Sequence, residues 1–493
     1  MEFEPVIGLE IHVELSTKSK MFCGCRVEFG GEPNTRTCPV CLAHPGALPV
    51  MNQQAIRYLA RISLSLECSV PEKSIFHRKN YFYPDLPKGY QISQYDQPFA
   101  VDGQLHVMLD EKDYRVGIER VHQEEDTAKN IHGGESGRIA GSTYSLIDFN
   151  RSGTPLVEIV TRPDIHSPQV ARAFLNKLKN TLQYLDVSDC NMEEGSLRCD
   201  ANISMRPVGD TGLGVKTELK NMNSFKHLEK GLTQEIIRQT ELLKNGEKIV
   251  QQTVHFDVTT GDISPLRSKE FAHDYRYFPE PDLVPLIATA KFVDGIRAEM
   301  PELPEARAQR YMKDLELPEY NAEVLTASRE LADFFESVTE KTSASPKSVS
   351  NWAMGDLSGY LNSTGEHLAT KSVFPEGSNI CKLSPENFGN FVKMVDEGII
   401  GVTSGKEVLP EMCKTGKSAN KIVKAKGLTQ ISDQSELEAH IDEAIAGNPG
   451  QVEQYRAGKE QVIGFFVGQV MKATRGQANP KLVNELLKKK LSG

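Results

Sequence analysis

The chain contains no run of eighteen apolar residues, and its opening MEFEPVIGLE is acidic and enters a strand at once. A helical membrane span is thereby excluded, and no signal or transit peptide is read; the expectation is a cytoplasmic protein with no membrane partner. The sequence also lacks a disulfide framework, because nine cysteines, an odd number, in 493 residues with no secretion signal point to a reducing compartment. An overall positive charge is missing too: at −10 the chain is not a general nucleic-acid coat. A true phosphate loop is absent, since Lys414-Thr-Gly-Lys-Ser418 has Glu411 where the first glycine belongs and no strand before it. The segment Ser16 to Met21, faintly like a synthetase signature loop, is too short to count.

What is present begins with Val6 to Leu15. Leu9, Ile11, Val13 and Leu15 alternate with Glu10, His12 and Glu14. At strand period two this makes one apolar face and one face of carboxylate, imidazole, carboxylate. Alone it reads either as a solvated strand face or as a divalent-ion or proton-transfer site. The pattern recurs: IERVHQEED ends in Glu124-Glu125-Asp126, and Asp148, Asn150 and Glu158 flank the turn Arg151 to Pro155, which predicts a hairpin. SLRCDANISMRP places Arg198, Asp200, Asn202 and Ser204 on one face, and VKTELKNMNS repeats this with Lys216, Glu218 and Lys220. Helical periodicity marks Gln53 to Leu66, Ser167 to Leu185 and Ser224 to Asn245. The expected fold is α+β, an antiparallel sheet with helices on one face and a polar cradle on the other, suited to phosphoryl transfer.

Cys23, Cys25, Cys38 and Cys41 form two close pairs in an insertion spanning about 22–42. They suit a structural Zn2+ with four thiolates and no open position, or stand as four unligated thiols. Residues 76–98 are rich in aromatics, prolines and bases, including His77, Arg78, Lys79, Tyr81, Tyr83, Lys88 and Tyr90. Lys79 and Lys88 would hold phosphate and the tyrosines would stack on a base or ribose, or the stretch is simple loop packing. If Glu125 faces Glu10 and His12 across the sheet, the three converge on Mg2+. HGGESGRIAGS, which follows, has the composition of a flap.

VIGLEIHVEL, FHRKNYFYPDLPKGYQISQYDQP, IDFNRSGTPLVEI, GSLRCDANIS, ELKNMNSFKHLEKG and RSKEFAHDYRYFPEPDLVPL together closely resemble the B-subunit family of the aspartyl/glutamyl-tRNA amidotransferases, essentially end to end. The resemblance implies a cradle domain related to that of glutamine synthetase. It also implies ATP- and Mg2+-dependent phosphorylation of the side-chain carboxylate of Asp or Glu on a misacylated tRNA, followed by amidation. Ammonia would come from an amidase-type A subunit, with a C subunit completing a heterotrimer. Glu10, His12 and Glu125 match the family's metal site and Lys79 a basic residue of its pocket. Lys88, Glu124, Asp148, Glu158, Arg198, Asp200, Asn202, Glu218 and Lys220 are placed near that pocket. The four cysteines match zinc-bearing members. No glutaminase or amidase signature is present, so the nitrogen source is expected on another chain. The competing readings are a non-catalytic tRNA scaffold and a free-standing carboxylate-amine ligase.

Boundaries are read at 1–294 for the catalytic cradle, 295–405 for a helical domain and 406–493 for a basic helical tail. From Lys406 onward there are 14 Lys/Arg against 10 Asp/Glu, a net of +4, so the first 405 residues carry −14. Lys472, Arg475 and Lys481 read as a solvated face or a tRNA contact. Asp433 and Glu436 form a capping box, Asn479-Pro480 starts the last helix, and the attachment KTGKSANKIVKAKG reads as mobile.

Overall fold

The computed structural model describes residues 2–133, 142–220, 222, 224–267, 272–369, 379–428, 434–474 and 478–491. The expected flap lies almost wholly outside the described residues, as do Asp433, Arg475 and the side chains of Glu436 and Lys481. The chain divides into two compact units, Met1–Leu303 and Pro304–Gly493.

The first unit is built on an eight-stranded sheet. In chain order its strands are β1 (Phe3–Glu14), β2 (Ala100–Leu109), β3 (Lys112–Glu125), β4 (Pro155–Thr161), β5 (Leu197–Pro207), β6 (Thr217–Lys220), β7 (Thr253–Phe256) and β8 (Ile263–Arg267). Their spatial order is β8-β7-β6-β5-β1-β4-β3-β2, antiparallel throughout except where β6 runs parallel to β7. Leu9, Ile11 and Val13 of β1, Val157 and Ile159 of β4, and Ala201 and Ile203 of β5 are buried together on one face. Helices α1 (Gln53–Ser65), α2 (Pro168–Tyr184) and α3 (Phe225–Lys244) add their apolar stripes to the same core. Each begins where a polar side chain (Asn52, Ser167 or Ser224) accepts backbone N–H groups of the first turn; such a cap is worth about 1 kcal/mol. Burying each aliphatic side chain contributes about 1.5–3 kcal/mol. A one-residue slip of β1 would turn this row outward and drive Glu10, His12 and Glu14 into the core, so the register is firmly specified.

The predicted hairpin across Arg151 to Pro155 is not formed. Ser145–Asp148 pairs instead with Lys129–His132, while β4 enters the main sheet between β1 and β3. Two of the polar side chains read onto the strand faces are used elsewhere: Asp148 Oδ1 accepts from Asn34 N (2.9 Å) and Asn150 Oδ1 from Arg36 N (2.8 Å). The chain ahead of the turn is thus tied to the cysteine insertion.

The second unit is helical and holds two hydrophobic cores, one from Ala308 to Val423 and one from Leu437 to Leu491. In the first of these Trp352 meets Phe391 edge-on at 4.9 Å. Asp294 lies inside helix Ala290–Ala298, whose Ile296 packs in the first unit's core. Residue 405 lies inside helix Val402–Thr415, whose Val408, Leu409, Met412 and Cys413 belong to the Ala308–Val423 core. The stretch read as a mobile attachment is helix Ala419–Lys426, anchored by Ala419, Ile422 and Val423. Lysine-rich composition concealed a short apolar stripe. Among the described residues no helix is long and apolar enough to cross a membrane.

Candidate active site

The sheet face opposite the helices carries its polar residues in three rows. Register sets His12 opposite Arg198 on one side and Glu158 on the other, with Glu158 opposite His122. The next row pairs Glu10 with Asp200, and the third runs Asn202, Glu218, Thr253. These rows floor a cavity of about 490 Å³ whose walls include Lys79, Tyr95, Tyr275 and Tyr277.

At its centre His12, Glu124 and Glu158 present donor atoms all within 4.8 Å of one another. His12 Nε2 lies 3.6 Å from Glu158 Oε2 and 3.9 Å from Glu124 Oε2. Octahedral Mg2+ with bonds of roughly 2.1 Å keeps its ligands roughly 3–4 Å apart, so a small shift would seat such an ion and leave positions for water and phosphate. The donor set, one imidazole and two carboxylates, suits Mg2+ or Mn2+. Beside it, Gln94 lines the cavity with a buried Nε2 that has no hydrogen-bond partner among the described residues.

Charge is balanced within the cluster. Burial would raise Glu158, but the charge on His122 and hydrogen bonds from His12 and His122 hold it well below the usual range. Burial works against the His122 cation, yet Glu158 and Glu124 push it up to about 9. The same contest raises His12, where burial is outweighed by Glu158 and Glu124 together. Lys79 is raised despite desolvation, chiefly by Glu124. An arriving divalent ion would displace the His12 proton, so binding must strengthen as pH rises.

The structure sorts the predicted residues. Glu10, His12, Lys79, Glu124, Glu158, Asp200, Glu218 and Lys220 line the one cavity. Lys220 Nζ bridges Asp200 (2.7 Å) and Glu218 (3.6 Å), and Asn202 Nδ2 donates to Glu10 Oε1 at 3.0 Å. Glu125 does not join them. One position beyond Glu124 on β3, it must point to the other face, where it pairs with Lys88 and accepts from Ile92 N at 3.1 Å. Lys88 therefore stands with Glu125 in a smaller cavity of about 190 Å³ beside the cysteine insertion. Asp148 is away from both, capping Asn34. Arg198 reaches from His12's row to Asp126 at 2.6 Å, which draws that carboxyl down against burial, while Glu14 beside it is pushed up to about 9 by burial and by Asp126.

His122, Arg120 and Gln94 were not picked out from the sequence, yet all line the cavity. A signal existed for two of them: Arg120, His122 and Glu124 alternate along β3, and that spacing selects Glu124 over Glu125 for the polar face.

The sulfur atoms of Cys23, Cys25, Cys38 and Cys41 also lie within 4.8 Å of one another, a convergence that fits tetrahedral Zn2+. Lys20, wholly buried, donates to Phe149 O at 3.1 Å and approaches Cys41 Sγ at 3.6 Å. In the tail Lys472 is exposed, whereas Lys490 is paired with Asp442 at 2.6 Å.

The GatB/GatE catalytic domain matches residues 5–294, and the GatB domain matches residues 333–491. A protein of Persephonella marina, named as the B subunit of an aspartyl/glutamyl-tRNA(Asn/Gln) amidotransferase, is 50% identical over 491 residues, covering 100% of both chains. Proteins of the same name from Thermodesulfovibrio yellowstonii and Carboxydothermus hydrogenoformans are each 50% identical; they span 99% and 100% of this chain and 99% of their own. On likeness of this extent, with the polar cradle and cysteine cluster in place, the chain belongs to the B-subunit family of the aspartyl/glutamyl-tRNA amidotransferases.

Proposed function

We propose that this chain activates the side-chain carboxylate of Asp or Glu carried on a misacylated tRNA, so that ammonia converts it to Asn or Gln. One observation carries the reading: His12, Glu124 and Glu158 converge on a cation-sized gap in a cavity walled by Lys79. A carboxylate resists attack by ammonia because oxide is a poor leaving group; phosphorylation makes that oxygen part of a good one. When bound, ATP supplies the phosphoryl group and Mg2+ neutralises its charge.

The chain's own residues then have distinct tasks. Glu124, Glu158 and His12 hold the ion. Lys79 and the Gln94 amide meet phosphate oxygens, and Lys220 supplies positive charge at the far wall. Glu10 is oriented by Asn202 to support the ion's water shell. A cradle related to that of glutamine synthetase, an enzyme that also makes an amide through an acyl phosphate, would accord with this assignment. The cysteine cluster holds structural Zn2+, as suits a reducing cytoplasm. Ammonia comes from an A subunit within a heterotrimer completed by a C subunit, and Lys472, Arg475 and Lys481 contact tRNA.

The test uses the chain assembled with A- and C-type subunits, ATP, Mg2+, an ammonium salt and labelled Asp-tRNA or Glu-tRNA. Amide formed by the native complex and not by Glu124→Gln supports the reading and identifies the substrate. Intact tRNA binding with no amide from either substrate would leave a scaffold role instead. Activity of the isolated chain on free Asp or Glu would favour a free-standing ligase.

A further inference from the structure

The helix side of the large sheet, away from the polar cradle, carries a groove of about 570 Å³. Helices α2 and α3 lie side by side there, and the groove runs between their N-terminal halves and the turn that joins β7 to β8. Its floor is apolar. Phe256 of β7 is 4% exposed, and α3 lies this close to the sheet because residue 231 is glycine: a Cβ there would meet Leu219 Cδ2 at 3.0 Å and Phe256 at 3.4 Å. The far wall is a tight turn, in which Asp257 Oδ1 accepts from Thr259 N (2.8 Å) and Thr260 N (3.2 Å), and Gly261 N donates to Asp257 O (2.8 Å). That turn holds Val258 45% exposed on the rim.

The rim is also basic. Arg172 of α2 is paired with Glu229 at 2.9 Å. Lys226 and Lys230, one turn apart on α3, are exposed and make no ion pair or hydrogen bond among the described residues. Three cations against one carboxylate leave the lining at +2, within the first 405 residues, which together carry −14. A local excess of one sign on a surface of the other sets up a field that selects partners of opposite charge.

We propose that this groove is a docking surface for a partner subunit, which lays an acidic segment across it, its carboxylates on Lys226 and Lys230 and an apolar side chain over Phe256 and Val258. An apolar floor with a charged rim is the anatomy of a protein–protein contact. A nucleic-acid strand would satisfy the lysines but not cover Val258, and the buried Phe256 ring has no free face on which a base could stack. Because the groove opens on the helix side of the sheet, a docked segment leaves the cavity of His12, Glu124 and Glu158 open. The inference rests on the proposed assembly with A- and C-type subunits.

The chain assembled with those subunits is treated with a carbodiimide, which joins amines to carboxylates in contact, and the linked peptides are identified by mass spectrometry. The expected result is an amide from Lys226 or Lys230 to an Asp or Glu of a partner subunit. Lys226→Glu with Lys230→Glu should weaken assembly about 10-fold or more, and less so at high salt. Lys226→Arg with Lys230→Arg should abolish the links and keep the affinity. Both lysines are exposed, and a circular dichroism spectrum of the free variant chain that matches the native one separates lost docking from lost folding. No link to a partner subunit, with native-strength assembly of the charge-reversed chain, overturns the surface. Links only to a second copy of this chain, or protection of the lysines by tRNA and not by the subunits, give it to another occupant and overturn it likewise. Native chain that assembles with neither subunit overturns the heterotrimer reading itself, a distinct failure that takes the docking surface with it.

Discussion

Among the described residues the chain offers two sites fit for a metal ion, and they are opposites. The cysteine site is local: four thiols from residues 23–41 converge on loops with little apolar content of their own, and four such donors close the coordination sphere. The His12, Glu124 and Glu158 site is assembled from three strands, and its donors come from residues 146 positions apart in sequence, 12 to 158. It rests on a rigid core and keeps positions open. A closed site on loops serves stability; an open one on a sheet positions a substrate.

The contrast also explains what the sequence disclosed. The cysteine pairs were legible from spacing alone because their partners lie within one loop. Period-two alternation predicted the polar face and its apolar underside, and the 3.6-residue period predicted the three helices that cover that underside. Alternation cannot say which strands become neighbours, so Glu125 was grouped with Glu10 and His12, although its own place on β3 assigned it to the other face. Asp148 and Asn150 were read as strand-face residues because nothing local announces that Asn34 and Arg36, more than a hundred residues earlier, take up their side chains.

Removing a donor from the open site should have the largest effect. Glu158→Gln is expected to lower amide formation about 10²- to 10³-fold in complex that still assembles, checked by rate on the assembled complex. Comparable loss from Cys38→Ser, with the cysteine loop still folded, would erase the distinction between the sites.

Chelation of the cysteine site should act on stability instead. Limited proteolysis between residues 22 and 50 is expected to accelerate, while amidation by surviving complex changes only a few-fold. Protease resistance unaffected by chelation would show that the thiols need no ion.

Lys20→Met should weaken zinc retention about 10-fold, because it removes a buried cation beside a thiolate and the bond that ties the insertion to Phe149. Chelator competition reads this directly. Unchanged retention would confine Lys20 to its backbone contact.

The smallest effect is expected where carboxylate and cation are both built in. Glu336 accepts from Arg307 (2.6 and 3.0 Å), and despite burial those bonds hold it below the usual glutamate range. A lowered native value means that the pair stabilises fully above the unfolded glutamate range and loses its contribution as pH falls through the native value. Glu336→Gln should therefore cost about 1–3 kcal/mol at neutral pH and less on acidification, followed by denaturant unfolding at several pH values. A cost independent of pH would assign it to packing.

The central claim is that Glu124, not Glu125, completes the open site. Mn2+ binding followed by electron paramagnetic resonance on native chain, Glu124→Gln and Glu125→Gln tests it most directly. The account predicts that Glu124→Gln weakens Mn2+ at least 10-fold while Glu125→Gln binds as the native chain does. Loss of the ion in Glu125→Gln with retention in Glu124→Gln would contradict it.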